Sequence, residues 1–401
     1  MEHVMKDTIV ARSIHTEDFL QLELDHGVIV GLEVLGSIPD EKILRLQEKS
    51  GVPYIAPGFF DIQVNGYAGK DYSDQLSTED MEQMVMRLAE SGTTRHMPTI
   101  ITNSELSIIE SIRAIVDSRK ESTLLHNAIV GLHIEGPFIS PKEGARGVHD
   151  PKHIRPCDFD EFQRWQESAE GLIRLVTVSP EDDTALEFIR KVTALGVRVA
   201  IGHTAVPPDQ IEKAVDAGAT LSTHLGNGSP GFLPRLNNFI WKELSDDRLY
   251  ASIIADGFHL PPYVLDAYTR SKGRCLTILI SDAAALAGSP PGVYRWGDMD
   301  IEVFPDGHMG LLGTTNLAGA SLLLDRCIAH LHEVTKFSLS ECVSCATRIP
   351  HDYLRLEGSV WKDLPKVGSN ADFTLFNYQR GDGNLRVLRT QLGREVLFKN
   401  M

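Results

Sequence analysis

The chain has 401 residues, 42% of them hydrophobic and 23% charged, an ordinary globular composition that excludes a disordered chain. Its 39 basic and 55 acidic residues give a net charge of −16, with no Lys/Arg cluster, which excludes nucleic acid as a partner. Five cysteines (Cys157, Cys275, Cys327, Cys342 and Cys345), no apolar segment behind residues 1–5 and no long apolar run give a cytoplasmic, membrane-free expectation.

In chain order, residues 8–54 carry strand-like runs such as 28–34 without convincing helices. From 59 onward, β-branched runs alternate with amphipathic stretches. Strands are predicted at 59–64, 94–101, 128–134, 172–178, 197–202, 220–223, 250–255 and 276–280. Helices are predicted at 78–90, 104–120, 184–195, 207–217, 262–270, 322–334 and 339–346. In the first of these, Met81, Met84, Val85 and Leu88 share a face. The Gly- and Pro-rich segment 288–310 reads as a hairpin inserted after the eighth strand. Strand-like runs at 372–376, 385–388 and 395–398 complete the chain.

Eight strands with helical crossovers predict a parallel sheet, and eight is the number that closes a (β/α)8 TIM-type barrel. A doubly wound open sheet competes on pattern alone. The expected organisation is a barrel over 55–355, with a small β-sandwich domain built from 1–54 and 356–401.

Polar residues follow directly on four of the apolar runs: Glu135, His203, His224 and Asp282. In a parallel barrel such positions converge on one mouth. One carboxylate and two imidazoles form a three-ligand set with room for water, as catalytic zinc requires, and a further carboxylate can serve as general base. A loop hydrogen bond explains any single histidine as well. Four such residues, each at a strand end, favour the site.

The segment Ala56-Pro57-Gly58-Phe59-Phe60-Asp61-Ile62-Gln63-Val64-Asn65-Gly66 resembles the first-strand signature of the amidohydrolase superfamily. It is followed in order by His133-Ile134-Glu135-Gly136-Pro137-Phe138, Gly202-His203-Thr204, Thr223-His224-Leu225-Gly226-Asn227, Asp256-Gly257-Phe258-His259 and Ser281-Asp282-Ala283. Together these resemble the N-acetylglucosamine-6-phosphate deacetylase family. That resemblance implies a cytoplasmic enzyme of amino-sugar catabolism that hydrolyses an N-acetyl group with one divalent metal, zinc first and iron or manganese as alternatives. Glu135, His203 and His224 would be the metal ligands and Asp282 the acid/base. Where many amidohydrolases have His-x-His for a second metal, this chain has Gln63-Val64-Asn65, and amides are poor ligands beside imidazole.

His149 matches a substrate contact near the reacting amide, with Val148 before it as a substrate-binding residue, and Asn227 and Gly228 match a loop whose backbone meets the ligand. Leu317-Ala318-Gly319 matches a turn after the hairpin. Arg235 and His259 match a phosphate-binding pair that reaches across a homodimer interface with shared active sites. The chain departs from the family at Gly226-Asn227-Gly228-Ser229-Pro230, where two pocket side chains are missing. That leaves the acyl group and the hexosamine open, not the reaction type.

Other signals lead elsewhere. Gly226-x-Gly228-x-x-Gly231 matches a dinucleotide fingerprint only as a string, because Pro230 and Pro234 oppose a helix there. Cys342 and Cys345 read as buried thiols of a helix, His96 and His133 as core or barrel-lining residues, and His330 and His332 as solvent-facing. Two rivals remain on sequence: another amide hydrolysis on the same barrel, and a catalytically silent sugar-phosphate-binding protein. Arg235 and His259 speak against the first. Asp282 speaks against the second, because binding alone needs no general base.

Overall fold

The computed structural model describes residues 7–37, 51–297, 299–314, 316–357, 360–361 and 363–400. The stretches 1–6 and 38–50, both assigned above to the small β domain, lie outside the described residues.

The barrel strands are β1 (Phe59–Val64), β2 (Thr93–Ile101), β3 (Leu132–Glu135), β4 (Ile173–Val178), β5 (Arg198–Ile201), β6 (Leu221–Ser222), β7 (Tyr250–Ile254) and β8 (Thr277–Ile280). They pair in sequential order in one eight-stranded sheet, every neighbouring pair parallel. The seam between β8 and β1 is closed differently. The Asp282 N–H donates to the Gln63 carbonyl at 3.0 Å, and a parallel bridge joins Val64 to Ala283. The buried Asp61 carboxylate accepts the Ser281 and Gln63 N–H groups at 3.1 and 3.2 Å. The barrel is thus the architecture, and the open sheet is excluded.

Inside the barrel a polar layer crosses β3, β4 and β6. His133 Nε2 meets Thr177 Oγ1 at 2.8 Å, and Thr177 meets Thr223 Oγ1 at 3.0 Å. His96 pairs with the Tyr72 hydroxyl at 2.7 Å. Buried polar groups need such partners: His133 lines the barrel among these hydroxyls, while His96 takes the core role, buried against Tyr72. His330 and His332, in contrast, are partly buried rather than solvent-facing, and His332 Nδ1 lies 3.0 Å from the Tyr378 hydroxyl.

The helix Thr78–Ala89 starts at a Ser77/Asp80 capping box and buries Met81, Met84, Val85 and Leu88 against the barrel. Cys342 and Cys345 are buried in or at the end of the helix Leu339–Cys345. Among the described residues, four helices add to those expected: Thr123–Ala128, Phe159–Ser168, Phe239–Ser245 and Arg348–Leu354. Phe159–Ser168 sits in a charged segment and is anchored by Phe162 and Trp165, each fully buried. Two large apolar side chains, at about 2–3 kcal/mol each, are enough to dock so short a helix.

Both termini meet in a seven-stranded sheet, in the order Glu395–Lys399, Arg386–Leu392, Asp372–Asn377, Tyr54–Pro57, Asp7–Ser13, Phe19–Asp25, Val28–Gly36. Its N-terminal share runs to Pro57, three residues past the expected division at 54. The sheet buries Ile9, Leu20, Leu22, Ile55 and Phe373 on one side. The segment expected as a hairpin is a three-stranded antiparallel sheet, Gly292–Trp296, Met299–Val303 and Met309–Leu311. Among the described residues no helix is long and apolar enough to cross a membrane, and the five cysteines are free thiols.

Candidate active site

Glu135 ends β3, whereas His203, His224 and Asp282 each stand two residues beyond the last residue of β5, β6 and β8. These three share a backbone state, with φ of +48°, +32° and +50°. An L-residue in the left-handed region costs about 1–2 kcal/mol, and such strain concentrates at functional sites. Here it turns three side chains that would follow the strand so that they meet.

The meeting point is tight. His224 Nε2 lies 3.1 Å from Glu135 Oε1 and 3.1 Å from His203 Nε2, and His203 Nε2 lies 3.4 Å from the same carboxylate oxygen. All three side chains are buried. His203 Nδ1 donates to the Ala145 carbonyl at 2.9 Å, which leaves the Nε2 lone pair facing the other two groups. Two imidazole lone pairs 3.1 Å apart repel unless a proton or a cation stands between them. This donor set, one carboxylate oxygen and two imidazole nitrogens around one point, fits a divalent metal. His149 stands at the edge, its ring centroid 4.3 Å from that of His203. The ligand atoms of Glu135, His149 and His203 all lie within 4.8 Å of one another, so His149 faces the same point from farther out.

Burial works against a charge on Glu135, yet the imidazoles of His203 and His224 set against it, with a proton or cation between them, outweigh burial and hold its carboxyl well below the usual range. Asp282 goes the other way: burial, and then the negative charge of Glu135, push its carboxyl up. Two carboxylates with opposite shifts in one site match a charge-holding group and a proton-transferring group.

The two amides on β1 explain themselves in this setting. Gln63 Nε2 donates to Glu135 Oε1 at 3.0 Å, and Asn65 Nδ2 donates to Asp282 Oδ1 at 2.8 Å. Each amide therefore holds a carboxylate.

These groups face a cavity of about 440 Å³, within the range of small-molecule sites. Val148, His149, Asn227, Gly228, His259, Leu317, Ala318 and Gly319, singled out in the sequence, all line it. Gly228 has φ of +55°, and a Cβ there would stand 2.8 Å from His203 Nδ1, so this turn carries no side chain. Arg235 does not line the cavity; it is exposed on its loop. The structure thus separates the expected phosphate pair: His259 stands in this chain's cavity and Arg235 outside it.

Sequence reasoning missed Asp71, Phe258 and Trp296 in the lining. Asp71 is buried on the loop after β1, its carboxyl pushed up to about 6 by burial, and it takes a hydrogen bond from Trp296. Trp296 belongs to the segment inserted after β8. An aromatic on an insertion that must lie over the barrel mouth was the available signal.

Comparison with known proteins gives the same picture. The description "Amidohydrolase family" matches residues 54–390. An N-acetylglucosamine-6-phosphate deacetylase of Bacillus subtilis (strain 168) is 33% identical over 329 residues, 80% of each chain. An N-acetylgalactosamine-6-phosphate deacetylase of Shewanella sp. (strain ANA-3) is 29% identical over 382 residues, covering 94% of this chain and 91% of its own. A Mycobacterium smegmatis N-acetyl-D-glucosamine-6-phosphate deacetylase, solved in complex with N-acetyl-D-glucosamine-6-phosphate, superposes with a TM-score of 0.82 at 25% identity, covering 98% and 99% of the two chains.

Proposed function

The chain belongs to the amidohydrolase family, and we propose that it hydrolyses N-acetylglucosamine 6-phosphate to glucosamine 6-phosphate and acetate. The observation that carries this reading is the convergence of Glu135, His203 and His224 within 3.4 Å, in the cavity that Asp282 also lines.

In this reading Glu135, His203 and His224 hold one divalent metal, zinc in the first place and iron or manganese as alternatives. Bound there, the metal supplies a Lewis acid that polarises the amide carbonyl and acidifies a water. Asp282 takes the proton of the attacking water and delivers it to the departing amine. The Asn65 bond to Oδ1 leaves Oδ2 for that proton. His149, whose Nδ1 lies 2.7 Å from the Thr102 hydroxyl, presents Nε2 to the acetyl oxygen as negative charge develops there. Val148, Asn227, Gly228 and the Leu317-Ala318-Gly319 turn hold the sugar, and His259 meets the phosphate.

Arg235 reaches the phosphate from a second copy of the chain. Its loop exposes Phe232 (98%) and Leu236 (75%), large apolar surface that a homodimer interface would cover. Five free thiols suit a reducing cytoplasm.

One observation favours a second reading, a deacylase for another N-acyl hexosamine phosphate: the turn at Gly228 has no side chain to close the pocket wall. Acetate release from N-acetylglucosamine 6-phosphate, N-acetylgalactosamine 6-phosphate and plain N-acetylglucosamine decides. N-acetylglucosamine 6-phosphate should be the best substrate, and the plain sugar poorer by roughly ten-fold or more, the worth of one charge-assisted contact. A preference for the galactosamine phosphate selects the second reading. Equal rates with the plain sugar remove the phosphate from the account, and no acetate from any of them overturns it.

A further inference from the structure

Beyond the groups used so far, the most completely built polar contact facing the cavity lies at the end of β7. Asp256 follows two residues after Ile254, and its side chain is 1% exposed. Oδ1 accepts the backbone N–H groups of Phe258 and His259, each at 2.9 Å. Oδ2 lies 2.7 Å from His259 Nδ1. Other titratable side chains face this turn. His330 and the buried Cys327, from the helix Leu324–Val334, come against Gly257 and Asp256, and Asp282 acts on His259 from across the cavity.

The pattern constrains the imidazole. A carboxylate accepts and does not donate, so Nδ1 keeps its proton for Asp256. Nε2 is left as the ring nitrogen available to the cavity that His259 lines. A phosphate oxygen needs an N–H donor at Nε2, so the ring that binds phosphate carries both protons and a positive charge. A buried carboxylate on the far side of the ring supplies the matching negative charge.

We propose that Asp256 is the positioning residue of the phosphate subsite: it aims His259 Nε2 into the cavity and balances the imidazolium that forms against a bound phosphate. The inference rests on the reading of His259 given above. A carboxylate that only shaped the turn would need nothing but the two backbone bonds at Oδ1, so the third bond, at Oδ2, separates the two roles.

Asp256→Asn tests this directly, because an asparagine oxygen still accepts both backbone N–H groups while its amide faces Nδ1 as a donor. The ring must then accept there, and it meets phosphate uncharged. The variant should raise KM for N-acetylglucosamine 6-phosphate roughly ten-fold or more, with kcat held within about two-fold and KM for plain N-acetylglucosamine unmoved. An unchanged KM for the phosphorylated sugar, or an equal loss on both sugars, overturns the proposal. If the variant does not fold, the native enzyme still answers: with glucosamine 6-phosphate bound, nitrogen NMR should show both nitrogens of the His259 ring protonated, and a singly protonated ring overturns it. Native enzyme with no preference for the phosphorylated sugar would instead overturn the underlying reading, and this inference with it.

Discussion

Asp282 and Glu135 are both buried carboxylates at strand ends, yet their surroundings divide the work between them. Glu135 is held charged by two imidazoles, while Asp282 has one amide partner and a carboxyl pushed up by burial. Asp282→Asn should keep the fold and the metal ligands, so bound metal should persist while kcat falls ~10²–10⁴-fold, the usual worth of a general acid/base. Near-native turnover in that variant would move the proton transfer to His149. At this scale the sequence was legible where a polar residue followed directly on an apolar run, which is how Glu135, His203, His224 and Asp282 stood out. It was not legible where the relation exists only across space. The bonds from Gln63 to Glu135 and from Asn65 to Asp282 join β1 to β3 and to the end of β8. Asp71 and Trp296 come from segments 225 residues apart, so nothing local joins them.

Among the elements, the seam between β8 and β1 is the unusual one, because Asp61 completes its hydrogen bonding with a side chain. Burial pushes that carboxyl up to about 7. The folded state then binds a proton that the unfolded chain has released over the window from about pH 4 to about pH 7. The contribution of Asp61 to stability is therefore present below that window and declines as pH rises through it. Asp61→Asn removes the titration, so its stability relative to the native chain should improve between pH 5 and 7, by up to about 1.4 kcal/mol per pH unit. Urea unfolding of both proteins at the two pH values checks this, and a constant difference would place the ionised carboxylate comfortably in the seam. The period and composition of the apolar runs made all eight strands legible. The helix Phe159–Ser168 was hidden because charged residues surround its two anchors, Phe162 and Trp165.

For the whole molecule, the cavity sits at the C-terminal end of the barrel strands, and the terminal sheet packs at the other side of the helix Thr78–Ala89, through Thr374 and Thr390 hydroxyls that donate to the Gly92 and Ala89 carbonyls at 2.7 Å. Among the described residues, the terminal strands brace the barrel and none of them lines the cavity. A chain at −16 also needs local cations to receive a phosphate dianion, the role proposed for His259 and Arg235. The central claim is one metal per chain working with Asp282. It is tested most directly by titrating zinc into chelator-treated protein while following acetate release from N-acetylglucosamine 6-phosphate. Activity should return and reach its plateau at about one ion per chain, because Glu135, His203 and His224 converge on one point and Gln63 and Asn65 are engaged as donors. Full activity in metal-free protein, or a plateau at about two ions per chain, would contradict it.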